Sequence, residues 1–420
     1  MNEHETNTDS RPYHIIGAGV VGLVTAYYLQ KSGVTNIEVI ERREKPCAGT
    51  SFANGGILMQ SSLPNQKPAG GSANSKFHRG ALDASLLKFG HKFLKLKLKS
   101  TSRVFDKPKY LEESAKLFEA DFRGESGVID SISTPLGRIK INTDDEQRSL
   151  LAELEAYPNM VHEVVDLPDE LKHGSAAGKK ALQFNCDYTV DVNDFGLKLS
   201  NFLKENGVKF RYSTQVEDFI FNNRNVEKIV TDDGKKIQTK GVVLATGPEA
   251  NSLLSKSGYK YISIVPLKGH SITYDITEND RHNLPEINCV QDDSVIHSYF
   301  TIYKDTYRCC AFGDLAGHDT SVNLDRIQLL ENTWKSIFPK LSFQNPRWWA
   351  GLRPVSPDTH PVVGRSETAP YDNVFLNVGH TALGFSYSFV TAKLVVDLMK
   401  GDDLDSQVEK IADFSPSRFL

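Results

Sequence analysis

The chain has 420 residues, of which 39% are hydrophobic and 24% are charged, and its formal net charge is -4. This length allows one large domain or two interleaved ones, and the mild acidity argues against a nucleic-acid partner. Five scattered cysteines form no CxxC pair and no Cys/His metal spacing, which indicates reduced thiols and predicts no metal site.

The chain begins with a polar, acidic stretch over residues 1–11, which we expect to be a disordered leader. It lacks the apolar core of a secretory signal, and no apolar run in the sequence approaches the length of a membrane span. We therefore expect a cytoplasmic protein.

The first ordered pattern is a β-α-β unit: a strand over residues 13–16, the glycine-rich sequence GAGVVG, a helix to about residue 32, and a strand over 37–41. In such a unit the first glycine permits the tight turn, the second lets a pyrophosphate approach the helix N-terminus, and the third lets helix and strand pack closely. The cofactor-binding candidates of this turn are Gly17, Gly19, Val20, Val21 and Gly22.

An acid ends the second strand of this unit. Glu41 stands where a carboxylate accepts hydrogen bonds from ribose hydroxyls, and Arg42 follows it. The same carboxylate disfavours a 2′-phosphate, which argues against NADP.

Two later segments favour FAD over NAD. Residues 49–57 (GTSFANGGI) carry hydroxyls for phosphate and glycines for a flat ring, although an ordinary surface loop is the alternative. The strand 241–247 (GVVLATG) follows about two hundred residues after the first, whereas an NAD dehydrogenase completes its nucleotide domain in one block. With the strand that ends at residue 216, these segments add the candidates Thr50, Ser51, Asn54, Gly55, Gly56, Ile57, Val216, Ala245, Thr246 and Gly247.

Residues 76–109 interleave apolar side chains with many basic ones. This pattern is compatible with a helix on an anionic membrane surface and equally with a solvated basic helix.

Alternating strands are predicted from residue 262 to 312, followed by a helix over 324–338. His297, Tyr299 and Tyr303 alternate along one strand and face the same side. They line a pocket or form a packing stripe, and Tyr299 is the pocket candidate.

The sequence WWAGLRPVSPD, residues 348–358, places Arg353 in an apolar setting. A buried cation is costly unless an anion meets it. Within the stretch only Asp358 could serve, so the anion is either this aspartate, another acid of the chain, or a ligand.

The ordered set of motifs resembles the D-amino acid oxidase-like flavoprotein family, in particular its bacterial dehydrogenases. The matching motifs are GAGVVG with Glu41, TSFANGG, ATGPEAN (245–251), VPLKG (265–269), WAGLRPVSPDTHPVVG (349–364) and NVGHTALGF (377–385). The resemblance implies an α/β fold, in which a Rossmann-like FAD-binding domain of the glutathione-reductase-like type is interleaved with an α+β substrate domain on a mixed or antiparallel sheet. We expect 12–75, 170–260 and 346–400 in the FAD-binding domain, 76–169 and 261–345 in the substrate domain, and 401–420 as a C-terminal tail.

The activity that the resemblance implies is oxidation of a C–N bond in a D-amino acid. A hydride passes from the α-carbon to flavin N5, and the imino acid hydrolyses to a 2-oxo acid and ammonia, while Arg353 grips the substrate carboxylate. Electrons pass to a quinone or other acceptor, which would suit a peripheral contact with the inner membrane face. An oxygen-using glycine or sarcosine-type oxidase and a flavin-binding subunit without its own substrate site are the alternatives.

Three further expectations rest on the same resemblance. The turn with Gly379, His380, Leu383 and Gly384 brings backbone amides to the flavin pyrimidine, and His380 shapes the pocket in preference to acting as a base. Lys268 lies near the flavin or at the domain interface. Sarcosine-type relatives tether the flavin to a cysteine at the position of Gly351, so we expect non-covalent FAD.

Overall fold

The fold is described from a computed structural model, for residues 10–63, 87, 89–91, 93–94, 105–123, 137–365, 371–402 and 404–420. The helices named below are α1 (Val20–Lys31), α2 (Lys107–Phe118), α3 (Asp144–Leu154), α4 (Val192–Glu205), α5 (Ala250–Lys256), α6 (Glu278–Arg281), α7 (Leu324–Ile337), α8 (Gly384–Lys400) and α9 (Val408–Phe414). The first ten strands are β1 (Tyr13–Ile16), β2 (Ile37–Ile40), β3 (Ile57–Leu58), β4 (Arg138–Asn142), β5 (His162–Val165), β6 (Lys180–Phe184), β7 (Tyr188–Thr189), β8 (Lys209–Arg211), β9 (Val216–Asn222) and β10 (Asn225–Thr231). The remaining strands are β11 (Lys236–Gln238), β12 (Gly241–Leu244), β13 (Val265–Asp275), β14 (Cys289–Asp292), β15 (Ser298–Ile302), β16 (Thr306–Asp314), β17 (Gln344–Val355), β18 (Val362–Gly364) and β19 (Val374–Val378).

The nucleotide-binding layer is a six-stranded sheet with strand order β18-β19-β12-β1-β2-β8. Its pairings are parallel except for the antiparallel edge pair β18–β19. The strands β2, β12 and β19 are buried along their whole length, as expected for a parallel sheet covered on both faces. Because β1 and β12 are neighbours, the Gly17 turn and the segment after residue 244 meet at the carboxyl ends of adjacent strands.

Helices α1, α2, α4 and α8 contribute to one hydrophobic core on this sheet. Aromatic rings fill much of that core, and Phe122 contacts both Phe195 of α4 and Phe389 of α8 with ring centroids 5.6 and 5.2 Å apart. The three-stranded meander β9–β11 and helix α5 contribute to a second core with side chains of β12 and β19. Strands β10 and β11 form an antiparallel hairpin around residues 232–234.

The second layer is an eight-stranded sheet with order β17-β13-β16-β15-β14-β4-β6-β5. Its pairings are antiparallel except for the parallel pair β14–β4. Helix α7 joins the sheet's core through Leu330, Trp334 and Ile337, which are at most 1% exposed. The expected fold class, a Rossmann-like layer combined with a mixed, mostly antiparallel sheet, is confirmed.

Three segments lie elsewhere than the expected domain boundaries imply. Strand β6 belongs to the eight-stranded sheet although it falls within 170–260, and β17 belongs to it as far as Val355, because it pairs with β13 along most of its length. Helix α2 falls within 76–169 but packs in the core of the nucleotide-binding layer, because its buried face (Tyr110, Leu111, Phe118) meets α8. We therefore propose that β6 and β17 belong to the substrate domain and that α2 belongs to the FAD-binding domain.

Two expectations lie mostly outside the described residues. Of the leader 1–11 the description covers residues 10 and 11, and of the basic segment 76–109 it covers 87, 89–91, 93–94 and 105–109. Leu87 and Leu94 are exposed. A helix long and apolar enough to cross a bilayer is not found among the helices of the described ranges.

Candidate active site

One cavity of about 870 Å³ lies between the two sheets, a volume in the upper range for cofactor sites. It is lined by the three catalytic-pocket candidates, Arg353, Tyr299 and His380, and by most of the expected cofactor-binding residues. The exceptions are Gly22 and Gly379. The cavity is therefore continuous from the glycine-rich turn after β1 to Arg353 of β17.

The turn after β1 is shaped for a phosphate group. Gly17 has φ +110°, and a Cβ there would lie 2.5 Å from the carbonyl oxygen of Ala245. Gly19 caps α1, and the first helical amide, Val20 N–H, donates to Ser51 Oγ at 3.2 Å. Gly22 is away from the cavity because it packs on the turn itself, where a Cβ would lie 1.9 Å from Gly17 O. Because these glycines leave the N-terminus of α1 uncovered by side chains, a pyrophosphate could approach its backbone amides closely.

Glu41 is fixed at the end of β2 by two backbone amides. Its Oε2 accepts from Ala18 N–H at 2.8 Å and its Oε1 accepts from Arg43 N–H at 2.9 Å. This holds the carboxylate at the cavity wall, beside Arg42, which pairs with Glu249. The position matches the ribose-binding role expected of Glu41.

The segment 49–57 connects the two layers, so it is not an ordinary surface loop. Thr50 Oγ1 donates to the Leu352 carbonyl of β17 at 2.6 Å, and Arg308 of β16 donates to the Asn54 carbonyl at 3.1 Å. Gly56 has φ +63°, and a Cβ there would lie 2.5 Å from Val190 O. At Gly56, backbone with no side chain therefore borders the cavity between the sheets, and this suits a flat ring system.

Buried polar atoms at the cavity wall give a test of whether a cofactor fits. Thr246 Oγ1, Asn377 Oδ1 and Tyr387 OH are buried and have no hydrogen-bond partner within the described part of the chain. Buried polar groups of this kind are normally satisfied, by protein, water or ligand. Together with the glycine turn and Glu41, they fit a large polar cofactor such as FAD.

The turn before α8 places His380 at the cavity while Gly379, with φ +77°, faces Ile264, Ser356 and Val362. Nε2 of His380 lies 3.1 Å from Thr391 Oγ1. Burial lowers the pKa of His380 to about 3, so the ring is neutral at physiological pH. These features favour a pocket-shaping role for His380.

Arg353 presents a partly buried guanidinium to the cavity. Its Nη1 donates to the Phe312 carbonyl at 2.6 Å, and no carboxylate pairs with it in the described ranges. Burial lowers the pKa of the guanidinium. Asp358 is not its partner, because this aspartate receives hydrogen bonds from Arg418 Nε and Nη2 at 2.6 and 3.1 Å. The cation therefore fits an external anion.

Residues of the neighbouring strands β13, β15 and β16 surround Arg353. A Cβ at Gly269 would lie 2.6 Å from Arg353 Nη1, so this glycine makes room for the guanidinium. Cys310 and Tyr299 face each other across β16 and β15, and both line the cavity. Burial raises the pKa of the Cys310 thiol, so it is a neutral wall group.

Sequence reasoning missed several lining residues and left others open. Gly269 belongs to the VPLKG motif and Cys310 to a predicted strand, but neither pattern places them beside Arg353, since only the strand order brings them there. Lys268 is absent from the cavity lining and instead pairs with Asp319 at 2.8 Å. Tyr303 also lies off the cavity, where its hydroxyl contacts Arg308 Nη1 at 3.3 Å, so His297 and Tyr299 alone of that stripe line it.

A further wall of the cavity comes from Phe105, Lys107 and His360, which sequence reasoning did not single out. The rings of Phe105 and His360 stack with centroids 3.8 Å apart. Burial lowers the pKa of Lys107 to about 8 and that of His360 to about 4.

Comparisons with known proteins agree with this geometry. Residues 13–398 match the DAO family, described as FAD dependent oxidoreductase. A D-amino acid dehydrogenase of Paramagnetospirillum magneticum is 28% identical over 92% of this chain and 94% of its own, and one of Vibrio atlanticus is 27% identical over 97% and 99%.

Solved structures share the fold. Glycine oxidase from Bacillus cereus aligns with a TM-score of 0.68 at 18% identity, covering 93% of this chain and 95% of its own. L-Proline dehydrogenase from P. horikoshii aligns with a TM-score of 0.70 at 20% identity, covering 97% of both chains. With a family match across nearly the whole chain and a cavity that fits FAD, this protein belongs to the DAO family of FAD-dependent oxidoreductases.

Proposed function

We propose that this flavoenzyme is a D-amino acid dehydrogenase, which converts a D-amino acid to an imino acid that hydrolyses to a 2-oxo acid and ammonia. FAD, when bound, supplies the hydride acceptor for the α-carbon hydrogen. The relatives named D-amino acid dehydrogenase, which align over nearly their full length, support this substrate class.

The observation that carries the proposal is the Arg353 guanidinium at the cavity, which pairs with no carboxylate in the described ranges. Guanidinium and carboxylate form two parallel hydrogen bonds. Among the residues that the structure describes, Nη1 bonds Phe312 O and the other donors of the guanidinium make no hydrogen bond to the protein. An amino acid held by its carboxylate would have one fixed end, and the pocket walls would orient its α-carbon. This positioning is the main contribution expected of the protein.

The rest of the pocket supports a small zwitterionic substrate. Gly269 accommodates the guanidinium, and Cys310 and Tyr299 line the same cavity as Arg353. His380 is neutral, so it does not compete with Arg353 for a substrate carboxylate.

For the second half-reaction we propose a quinone or other acceptor in place of oxygen, with non-covalent FAD and a cytoplasmic location. Support comes from the word dehydrogenase in the names of the relatives. A contact of segment 76–109 with the inner membrane face would bring the enzyme close to such an acceptor.

The test is a screen of D- and L-amino acids on the purified, FAD-loaded protein under anaerobic conditions, following bleaching of the flavin absorbance. D-Amino acids should reduce the flavin and their L-enantiomers should not. In air, dye reduction should exceed hydrogen peroxide formation. Peroxide as the main product would indicate an oxidase, and an Arg353→Ala variant that keeps both FAD and activity would indicate a different substrate site.

A further inference from the structure

We propose that Tyr299, oriented by His297 and Asp293, removes a proton from the α-ammonium group of the substrate. This inference rests on the proposed function, because it requires a zwitterionic amino acid in the cavity. The α-nitrogen must lose this proton so that its lone pair can assist departure of the α-hydrogen.

The three side chains form a continuous hydrogen-bonded chain. His297 Nδ1 lies 2.8 Å from Asp293 Oδ1, and His297 Nε2 lies 3.1 Å from the Tyr299 hydroxyl. His297 and Tyr299 line the cavity, whereas Asp293 does not. The chain therefore leads from the cavity wall to a carboxylate behind it.

The surroundings of Asp293 set the direction of these hydrogen bonds. Its carboxylate accepts from Gln291 Nε2 at 3.0 Å and pairs with Lys140 Nζ at 3.1 Å. Burial opposes ionisation, but the hydrogen bond and charge of His297 together with Lys140 and Gln291 outweigh it, so the pKa of Asp293 lies well below its ordinary value. An ionised Asp293 accepts from Nδ1–H of His297, which leaves Nε2 to accept from the Tyr299 hydroxyl.

Tyr299 faces the same pocket as the carboxylate-binding arginine. It pairs in register with Cys310 of β16, and Cys310 pairs with Ser271 of β13, two residues from the Gly269 that supports Arg353. The backbones of β15 and β13 are two strand spacings apart, roughly 10 Å. A substrate held by its carboxylate on one side would thus meet the phenol oxygen on the other.

Within the described ranges the Tyr299 hydroxyl bonds His297 Nε2, so its oxygen can still accept a hydrogen bond from a donor in the cavity. Burial raises the pKa of Tyr299, an effect that the charge of Arg138 opposes and that of Asp293 adds to, and Cys289 and Cys310 are its other titratable neighbours. Tyr299 is therefore a neutral phenol, and a free phenolate is not the base.

The proton transfer balances without a further reactant. One N–H bond of the ammonium breaks and its proton joins the Tyr299 oxygen, while the hydroxyl proton of Tyr299 moves to Nε2 of His297. Asp293 stabilises the imidazolium that results. Tyr299 is the catalytic residue, and His297 and Asp293 are positioning residues that act through it.

Other imidazoles at the cavity are less suited to this role. Burial lowers the pKa of His270 and His360 to about 4 and that of His380 to about 3. Of the cavity-lining histidines in the described ranges, His297 is the one whose ring nitrogen pairs with a carboxylate.

The experiment measures the rate of anaerobic flavin reduction by D-alanine as a function of pH, in the FAD-loaded wild type and in His297→Gln, Asp293→Asn and Tyr299→Phe. Each variant should lose about 10²-fold or more at pH 7 and recover at a pH high enough to deprotonate the amine without help. A matched control is Tyr303→Phe, since this nearby tyrosine lies off the cavity, and its profile should follow the wild type.

A second measurement separates the relay from a structural role. Binding of propionate, which has the carboxylate but no amine, is followed through the perturbation of the flavin spectrum and should be unchanged in His297→Gln. Wild-type pH profiles in all three variants, or equal losses at every pH together with loss of propionate binding, would overturn the relay. A wild type that no D-amino acid reduces at any pH would refute the proposed function itself.

Discussion

Replacing Arg353 with methionine should weaken substrate binding and leave the protein at least as stable as before. The variant keeps an apolar stem of similar length and removes a partly buried charge that donates a hydrogen bond to the Phe312 carbonyl. Removing a buried charge from apolar surroundings is often neutral or stabilising. Function and stability should therefore change in opposite directions.

The magnitudes follow from the contacts. Two charge-assisted hydrogen bonds to a carboxylate contribute roughly 3–6 kcal/mol, so kcat/KM for a D-amino acid should fall by about 10²–10⁴-fold. The free energy of unfolding should stay within error or rise by about 1–3 kcal/mol, since no buried carboxylate in the described ranges is left without its counter-ion.

The matched control is Arg326→Met. Arg326 lies beside the eight-stranded sheet and is buried. Its Nε donates to Asp314 Oδ2 at 3.0 Å, and its guanidinium lies 4.5 Å from the Phe312 ring centroid. Removing Arg326 breaks its ion pair with the Asp314 carboxylate, which is 1% exposed. The free energy of unfolding should therefore fall by about 3–5 kcal/mol. Both variants are unfolded in urea at saturating FAD, with flavin content measured beforehand.

Two results would contradict the reasoning about Arg353. Destabilisation of Arg353→Met equal to that of Arg326→Met would mean that Arg353 has a structural partner. An unchanged KM for the amino acid would mean that the substrate carboxylate binds elsewhere.

Three further changes test other parts of the site. Glu41→Gln weakens the acceptor that holds the Ala18 amide, so FAD affinity should fall about tenfold, measured by fluorescence of released flavin. His380→Gln should leave the pH profile of flavin reduction between pH 6 and 9 unchanged, because the ring is already neutral there; a shifted profile would make it a base. Asp358→Asn should destabilise the protein: burial favours the neutral acid, but Arg418 outweighs it and keeps the pKa of Asp358 below 3.8. The contribution of this ion pair to the free energy of unfolding is complete above the ordinary aspartate pKa of 3.8, and it is lost as the pH falls through the lower pKa of the folded protein. The difference in unfolding free energy between wild type and Asp358→Asn should therefore shrink in acid.

The nucleotide half of the site could be predicted residue by residue because its chemistry is local. Gly17, Gly19 and Glu41 lie within one β-α-β unit, where the turn, helix start and strand end fix one another within 25 positions. The second-layer residues that border the same cavity depend on strand order. Nothing in the alternation around Tyr299 shows that β15 pairs with β16, and that β16 pairs with β13.

The proposed shifts of the domain boundaries have a related reason. The pattern of α2 gives an apolar face but not the sheet that this face meets, and Tyr110 and Phe118 pack on the nucleotide-binding layer. Asp293 was not predicted because it follows β14, in the turn that leads to β15, and turn geometry alone directs its carboxylate to His297. Long-range pairing and turn geometry are the two features that sequence periodicity does not report.

The glycines of β13 and β17 explain how an arginine is accommodated in so apolar a strand. Gly269 and Gly351 face each other in register, and the two positions are covered by different groups: the Arg353 guanidinium lies over Gly269, and the Trp349 ring lies over Gly351. A Cβ at Gly351 would lie 1.9 Å from Cη2 of Trp349, so a cysteine at this position would force the indole away. The Trp349 ring in this position and a flavin tether at Gly351 therefore exclude each other, which gives a physical reason to expect non-covalent FAD in this chain.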